Sequence, residues 1–123
     1  LDFPLPAPRS SDAYLRMIPR TEMDIAVVGA AVALTLDVSG VCTYARVAIG
    51  AVAPAALLVP AAADALMGSK LDDAALRRAA AAASKAASPI TDKRGTAEYR
   101  KKIVGVLVRR AAAIAKARIE AQV

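Results

Sequence analysis

Histidine and tryptophan are absent from this 123-residue chain, cysteine occurs once, and aromatic residues make up 3%. Each absence removes a class of chemistry. Without histidine, and with Cys42 as the only thiol, the chain alone offers no ligand set for zinc, copper or an iron–sulfur cluster. Histidine-dependent hydrolytic triads are excluded on the same ground. A single cysteine closes no internal disulfide, and nothing in the sequence points to secretion. The start, LDFPLPAPRSSDAY, has neither a basic head nor an apolar middle, so no signal peptide is read there and a cytoplasmic location is expected. It also lacks an initiator methionine, as expected of a processed chain or a fragment of a longer one.

Apolar residues are plentiful at 57%, but 32 of the 123 residues are alanine. Alanine buries little area, and at roughly 25 cal/mol per Å2 such a core is thinner than its apolar fraction implies. A domain of this kind is expected to bury small-residue surfaces against a partner. The net charge of +6 is unevenly placed: from residue 93 onward there are nine basic residues against two acids, whereas the first 92 hold eight against nine. A basic last helix attracts acidic partners, nucleic acid or an anionic membrane. Nucleic acid is the poorer fit, because stacking aromatics and recognised binding motifs are missing. A solvated helix face, or a rim meeting an acidic partner, accounts for the charge more simply.

Pro4, Pro6 and Pro8 at alternate positions forbid helix, so residues 1–13 are read as an extended segment arriving from elsewhere. The stretch YLRMIPR is short and extended, with Pro19 as a break. Twelve uncharged residues then separate Asp24 from Asp37. That is too short for a membrane span, which needs about 20 apolar residues. An alanine-rich buried helix shares this composition, but β-branched density and the following DVSG turn favour a strand. VCTYARVAIGAVAP reads as its hairpin partner, carrying Tyr44 and Arg46 on one parity with Cys42 near them on that side, and AALLVP as a short third strand.

Helices follow. AAADALMGS stops at Gly68, a C-terminal cap. LDDAALRRAAAAASKAAS carries Asp72 and Asp73 in its first turn, where carboxylates complement the helix dipole, and Pro89 stops it. Thr96 caps a long last helix running to about Ala121. Its core stripe is read as Tyr99, Ile103, Val106, Leu107, Ala111 and Ile114, with Arg100, Lys101 and Arg109 outward. The order gives an α+β fold: a three-stranded antiparallel sheet followed by three helices on one face. The other sheet face is then left uncovered by the chain. In the uncharged run the even residues Val32, Leu34 and Leu36 are bulky, while the odd residues Gly29, Ala31 and Ala33 are small. A strand buried on one side by its own helices and on the other by a neighbour fits this pattern. A sheet covered on both faces within the domain is the competing reading.

Four strings in order, YLRMIPRTEMDIAVVGAAVAL, ARVAIGAVAPAALLVP, LDDAALRRAAAAA and RGTAEYRKKIVGVLVRRA, resemble the C-terminal domain of the FAD-binding (medium) subunit of aerobic carbon monoxide dehydrogenase and xanthine dehydrogenase-type molybdenum hydroxylases. The resemblance implies a three- or four-stranded sheet followed by three helices. It makes residues 1–13 the segment arriving from a preceding FAD-binding domain and 14–123 the domain proper. It implies FAD in the complete subunit, held mainly by the preceding domains and not retained by this chain alone. The isolated glycines of VVGAAVA and AIGAVAP are no dinucleotide loop. Partners implied are those preceding domains, a large molybdopterin subunit and a small iron–sulfur subunit, with no membrane.

Little catalytic chemistry carries over, and no catalytic or metal-ligating residue is expected in this chain. In relatives a basic residue eight positions before the aspartate of the R-x-x-x-D-I-A stretch lies near the flavin ring; here that position is Arg16. A cation there would stabilise negative charge on a reduced ring. A surface arginine paired with Glu22 or another carboxylate is the plainer reading. Arg20 and Asp24 are expected to pair and fix an interface, Tyr99 to pack in the core, and Arg100 to serve as an interface or capping charge. The alternative to a flavoprotein module is a freestanding interaction domain whose basic last helix binds an acidic protein or nucleic acid. Self-association of an isolated fragment through the uncovered face is compatible with either.

Overall fold

The computed structural model describes residues 1–18, 26–92 and 95–122. Four strands, β1 (Ser10–Met17), β2 (Val28–Leu36), β3 (Cys42–Gly50) and β4 (Leu57–Leu58), precede three helices, α1 (Pro60–Leu66), α2 (Asp73–Ala86) and α3 (Ala97–Glu120). The sheet runs in the order β1-β2-β3-β4 with every neighbouring pair antiparallel. The α+β reading holds, and the extended stretch around Tyr14 enters the sheet as a fourth strand that begins at Ser10.

Alternation decides which face is core. Val28, Ala30, Val32, Leu34 and Leu36 of β2 are buried, as are Ala45, Val47 and Ile49 of β3. They pack with α3 residues Val104, Val108, Ala111, Ala115 and Ile119. Helix α3 lies across β1 and β2, α1 against β3, and α2 against both other helices. The buried stripe of α2 is alanine throughout, at Ala75, Ala79 and Ala83. Small side chains at i, i+4 and i+8 let neighbouring backbones come close, which is how an alanine-rich chain reaches interior density.

Local chemistry fixes the ends. Thr96 accepts from Tyr99 N, the cap expected for α3, and Asp72, read as a first-turn residue, is itself the N-cap of α2, its side chain accepting from Ala75 N. Gly68, at φ 78°, follows α1 and donates its N–H to Cys42 O at 2.7 Å. In the β2–β3 turn, the Asp37 carboxylate accepts from Ser39 N and Val41 N at 2.8 and 2.9 Å. Gly40 supplies the positive φ of 88° there.

The buried face of α3 differs from the expected stripe. Leu107 and Ala111 are buried as read, but the seam runs through Val104, Val108, Ala115 and Ile119. Ile103 and Ile114 are only partly buried and Tyr99 is 36% exposed. The helix is turned by about one residue from the sequence reading, roughly 100°. Close approach to α2 selects the small residues for the contact and leaves the bulky ones to close its margins.

Cys42 is also corrected. The pairing of β2 with β3 slips between Thr35 and Leu36, so Thr35 faces Tyr44 while Leu36 faces Cys42. One extra residue lies on β3 at that point, and the irregularity turns Cys42 into the core at 1% exposure, away from the Tyr44 side.

Candidate functional site

The sheet face turned away from the helices forms an open trough. The floor is Gly29, Ala31, Ala33 and Thr35 of β2, the odd-numbered residues of that strand. Register sets the two walls. Ser10, Thr35 and Tyr44 form one row; Asp12, Ala33 and Arg46 the next; Tyr14, Ala31 and Ala48 a third; Arg16, Gly29 and Gly50 the last. Asp12, Tyr14, Arg16, Tyr44 and Arg46 are all exposed, and Leu58 extends the third row at 58% exposure. Two hollows lie in the trough, one of ≈ 750 Å³ bordered by Pro6, Asp12, Thr35 and Tyr44, the other of ≈ 250 Å³ between Asp12, Tyr14, Ala31 and Arg46. No element among the described residues covers this face, as the small-residue parity of β2 implied.

The Tyr14 ring leans diagonally over Gly29: a Cβ at Gly29 would lie 3.1 Å from the Tyr14 hydroxyl oxygen. A side chain at this position would push the exposed tyrosine tip aside by a few tenths of an ångström. Beyond it, Arg16 also borders a third hollow, of ≈ 460 Å³, shared with Met17, Ile18, Ile103, Val106 and Arg110. Among the described residues no carboxylate pairs with Arg16. Two guanidinium groups above an apolar floor suit a planar, partly apolar anion. Arg110, Asp12 and Tyr14 escaped the sequence reading. The signal for the latter two was the alternation that starts right after Pro8, hidden by reading residues 1–13 as a linker.

Arg100 moves from surface to interior. It is 4% exposed, and its Nη2 donates to Asp92 Oδ1. Asp92 and Gly95 bond each other backbone to backbone, so Arg100 clamps the loop that leads into α3. Its Nε is buried without a partner among the described residues. Tyr99 donates its hydroxyl to Met17 Sδ at 3.6 Å across the α3–β1 contact. Arg20 and Asp24 lie outside the described residues. Arg118 Nη1 and Gln122 Nε2, from the end of α3, donate to the carbonyls of Asp12 and Ser10 at 2.6 and 2.9 Å. They occupy acceptors on the outer edge of β1 that would otherwise recruit another strand.

Ligand chemistry can be tested against these surroundings. Among the described residues no three acidic or thiol side chains converge as a metal site, and no helix is long and apolar enough to cross a membrane. A dinucleotide pyrophosphate needs free N–H groups at a helix N-terminus. Here the Asp72 carboxylate closes that of α2, while Thr96 and Thr91 accept from Tyr99 N and Ala97 N at the start of α3. Neither of these two helix starts offers a free N–H cradle for a pyrophosphate.

The described residues define a small α+β domain: an antiparallel sheet backed by helices on one face, with no described element on the other and no nucleotide-phosphate cradle among the described residues. By sequence the chain belongs to the CO dehydrogenase flavoprotein C-terminal domain family, whose model matches residues 13–115. It is 39% identical over 115 residues to the carbon monoxide dehydrogenase medium chain of Afipia carboxidovorans, spanning 93% of this chain and 40% of that one. Reconstituted CO dehydrogenase from Oligotropha carboxidovorans superposes with a TM-score of 0.87 at 39% identity, over 94% of this chain and 40% of the other. The Hydrogenophaga pseudoflava enzyme lacking the Mo-pyranopterin moiety gives 0.87 at 36%, over 94% and 39%. Quinoline 2-oxidoreductase from Pseudomonas putida 86 gives 0.84 at 28%, over 94% and 40%. The chain thus spans about two fifths of the length of the relatives it matches.

Proposed function

We propose that this chain is the C-terminal module of an FAD-binding medium subunit in a molybdenum hydroxylase of the carbon monoxide or xanthine dehydrogenase type, working in the cytoplasm. The observation that carries the reading is the 39% identity to a carbon monoxide dehydrogenase medium chain across 93% of this sequence. The module catalyses nothing alone. It flanks the flavin with the Arg16 end of β1 and docks the preceding domains and the large and small partner subunits. The flavin, when bound, accepts electrons and passes them on. Arg16 contributes a fixed positive charge that favours the reduced, anionic ring over the neutral oxidised one, and it shares a hollow with Arg110 and Ile103.

The test is Arg16→Ala in the complete subunit, read by flavin midpoint potential with assembly checked in parallel. Loss of a cation near the ring should lower the potential by roughly 20–40 mV, the equivalent of about 1–2 kcal/mol for two electrons. Arg16→Lys should keep most of the difference. An unchanged potential removes Arg16 from the flavin site. The 123-residue chain, mixed with FAD and dialysed, should retain none.

A further inference from the structure

Arg9 carries the backbone into the domain at φ 57°. A long side chain keeps that left-handed conformation only where its surroundings hold it there. The turn through Pro8 and Arg9 is held from several directions. The ring of Pro8 sets its own φ, and the Ser10 hydroxyl donates back to Ala7 O. Arg9 O accepts from Leu36 N at 2.9 Å, and Arg9 Nε donates to Asp37 O, also at 2.9 Å. Asp37 in turn anchors the β2–β3 turn, its carboxylate accepting from Ser39 N and Val41 N. From the opposite side the end of α3 holds the start of β1, through Gln122 on Ser10 O and Arg118 on Asp12 O. The residues leading in are stiff as well, because Pro4 and Pro6 favour an extended, semi-rigid chain.

We infer that this turn is a rigid elbow and that Arg9 is a positioning residue for Arg16, fixing the angle between the domain and the chain that enters it. The inference rests on the reading of Arg16 as the cation beside the flavin. Strand β1 is paired with β2 from Ser10 to Met17, so the sheet forms without the Arg9 guanidinium. What the guanidinium adds is a fixed direction for the residues before Ser10. Arg9 and Arg16 stand at the two ends of one strand, and seven residues of extended chain make a lever about 23 Å long. A tilt of about 5° at the elbow moves the far end by about 2 Å over that length. Attraction between a cation and charge on the ring falls with distance, so a loosened elbow weakens what Arg16 does without touching Arg16.

The experiment is made in the complete subunit and reads the flavin midpoint potential, with flavin content and thermal stability followed in parallel. The variants are Arg9→Gly, Arg9→Asn, Arg9→Lys, Arg16→Ala and the double variant Arg9→Gly with Arg16→Ala. Glycine adopts φ 57° freely, so Arg9→Gly removes the grip on Asp37 O and leaves the turn its conformation. Asparagine also tolerates this φ and is too short to keep the grip; it carries the same test if the glycine variant fails to assemble. Both should lower the potential, in the direction of Arg16→Ala and by less. Arg9→Lys keeps a donor on a long stem and should stay closer to the intact subunit. In the Arg16→Ala background, Arg9→Gly should make no further difference, because the two residues act as one unit. An unchanged potential in the glycine and asparagine variants, with Arg16→Ala shifted, overturns this inference and leaves the flavin reading standing. A shift that persists in the double variant also overturns it, since Arg9 then acts by another route. An unchanged potential in Arg16→Ala overturns both readings.

Discussion

Gly105 of α3 sits against Ala80 of α2: a Cβ at Gly105 would lie 3.1 Å from Ala80 O and 2.9 Å from Ser84 Oγ. The same Ser84 hydroxyl donates to Lys101 O at 2.6 Å, tying the two helices one turn before the contact. The glycine therefore sets the distance between α2 and α3, and through α3 the position of the helical layer under the sheet.

Gly105→Ala has two opposing effects. Alanine gains about 1 kcal/mol of helix propensity over glycine, while forcing apart a packed contact costs about 1–3 kcal/mol. The Ala80 contact is to backbone and cannot swing aside, so the steric effect wins. A net loss of about 1 kcal/mol is expected, a fall in Tm of roughly 4 °C by calorimetry. Adding Ser84→Ala should recover part of this loss, a positive coupling in the double-mutant cycle.

Arg100 and Asp92 form an ion pair with side-chain exposures of 5% and 28%. Truncating the buried partner takes the guanidinium away from the Asp92 carboxylate and empties the site it fills. Arg100→Ala should therefore cost about 2–4 kcal/mol, somewhat below the full range for a completely buried pair. Arg100→Met, which keeps the volume, should cost less. Urea unfolding checks both. Amide exchange should rise at Asp92 and Gly95, whose backbones bond each other.

Burial pushes the Cys42 thiol above its usual pKa, only partly offset by a backbone hydrogen bond at Tyr44. The folded state thus holds this proton more tightly than the unfolded state. Its contribution to stability is complete below the unfolded-state value, about 8.5, and is lost as pH rises through the folded value. Unfolding free energy measured from pH 7 to 10 should fall more steeply for the intact chain than for Cys42→Ala. Thiol reagents at pH 8 should react with Cys42 only once denaturant is present.

Much of the fold is legible in the residues. Asp72 and Thr96 mark helix starts because their side chains accept backbone N–H bonds locally, and Gly68 follows the end of α1 because only a short stretch of backbone has to be correct. Strand β2 declares its two faces by alternation, large residues on the even positions and small ones on the odd. The same pattern announces an open flank. Strand β1 was half hidden, since three prolines immediately before it mask an alternation that begins at Ser10.

What the chain alone determines is local: period, caps, turns and the sizes of neighbouring side chains, each set within a few residues by sterics and backbone hydrogen bonding. Tertiary structure decided the rest. The seam of α3 depends on how near α2 can come at Gly105, the interior place of Arg100 depends on a loop eight residues earlier, and Cys42 faces inward because the β2–β3 pairing slips by one. The placing of Asp12 and Arg46 in one row, and of Tyr14 and Ala48 in another, exists only through β2, a strand that touches both. Register is a non-local quantity, and a one-residue slip would send every one of those side chains to the opposite face.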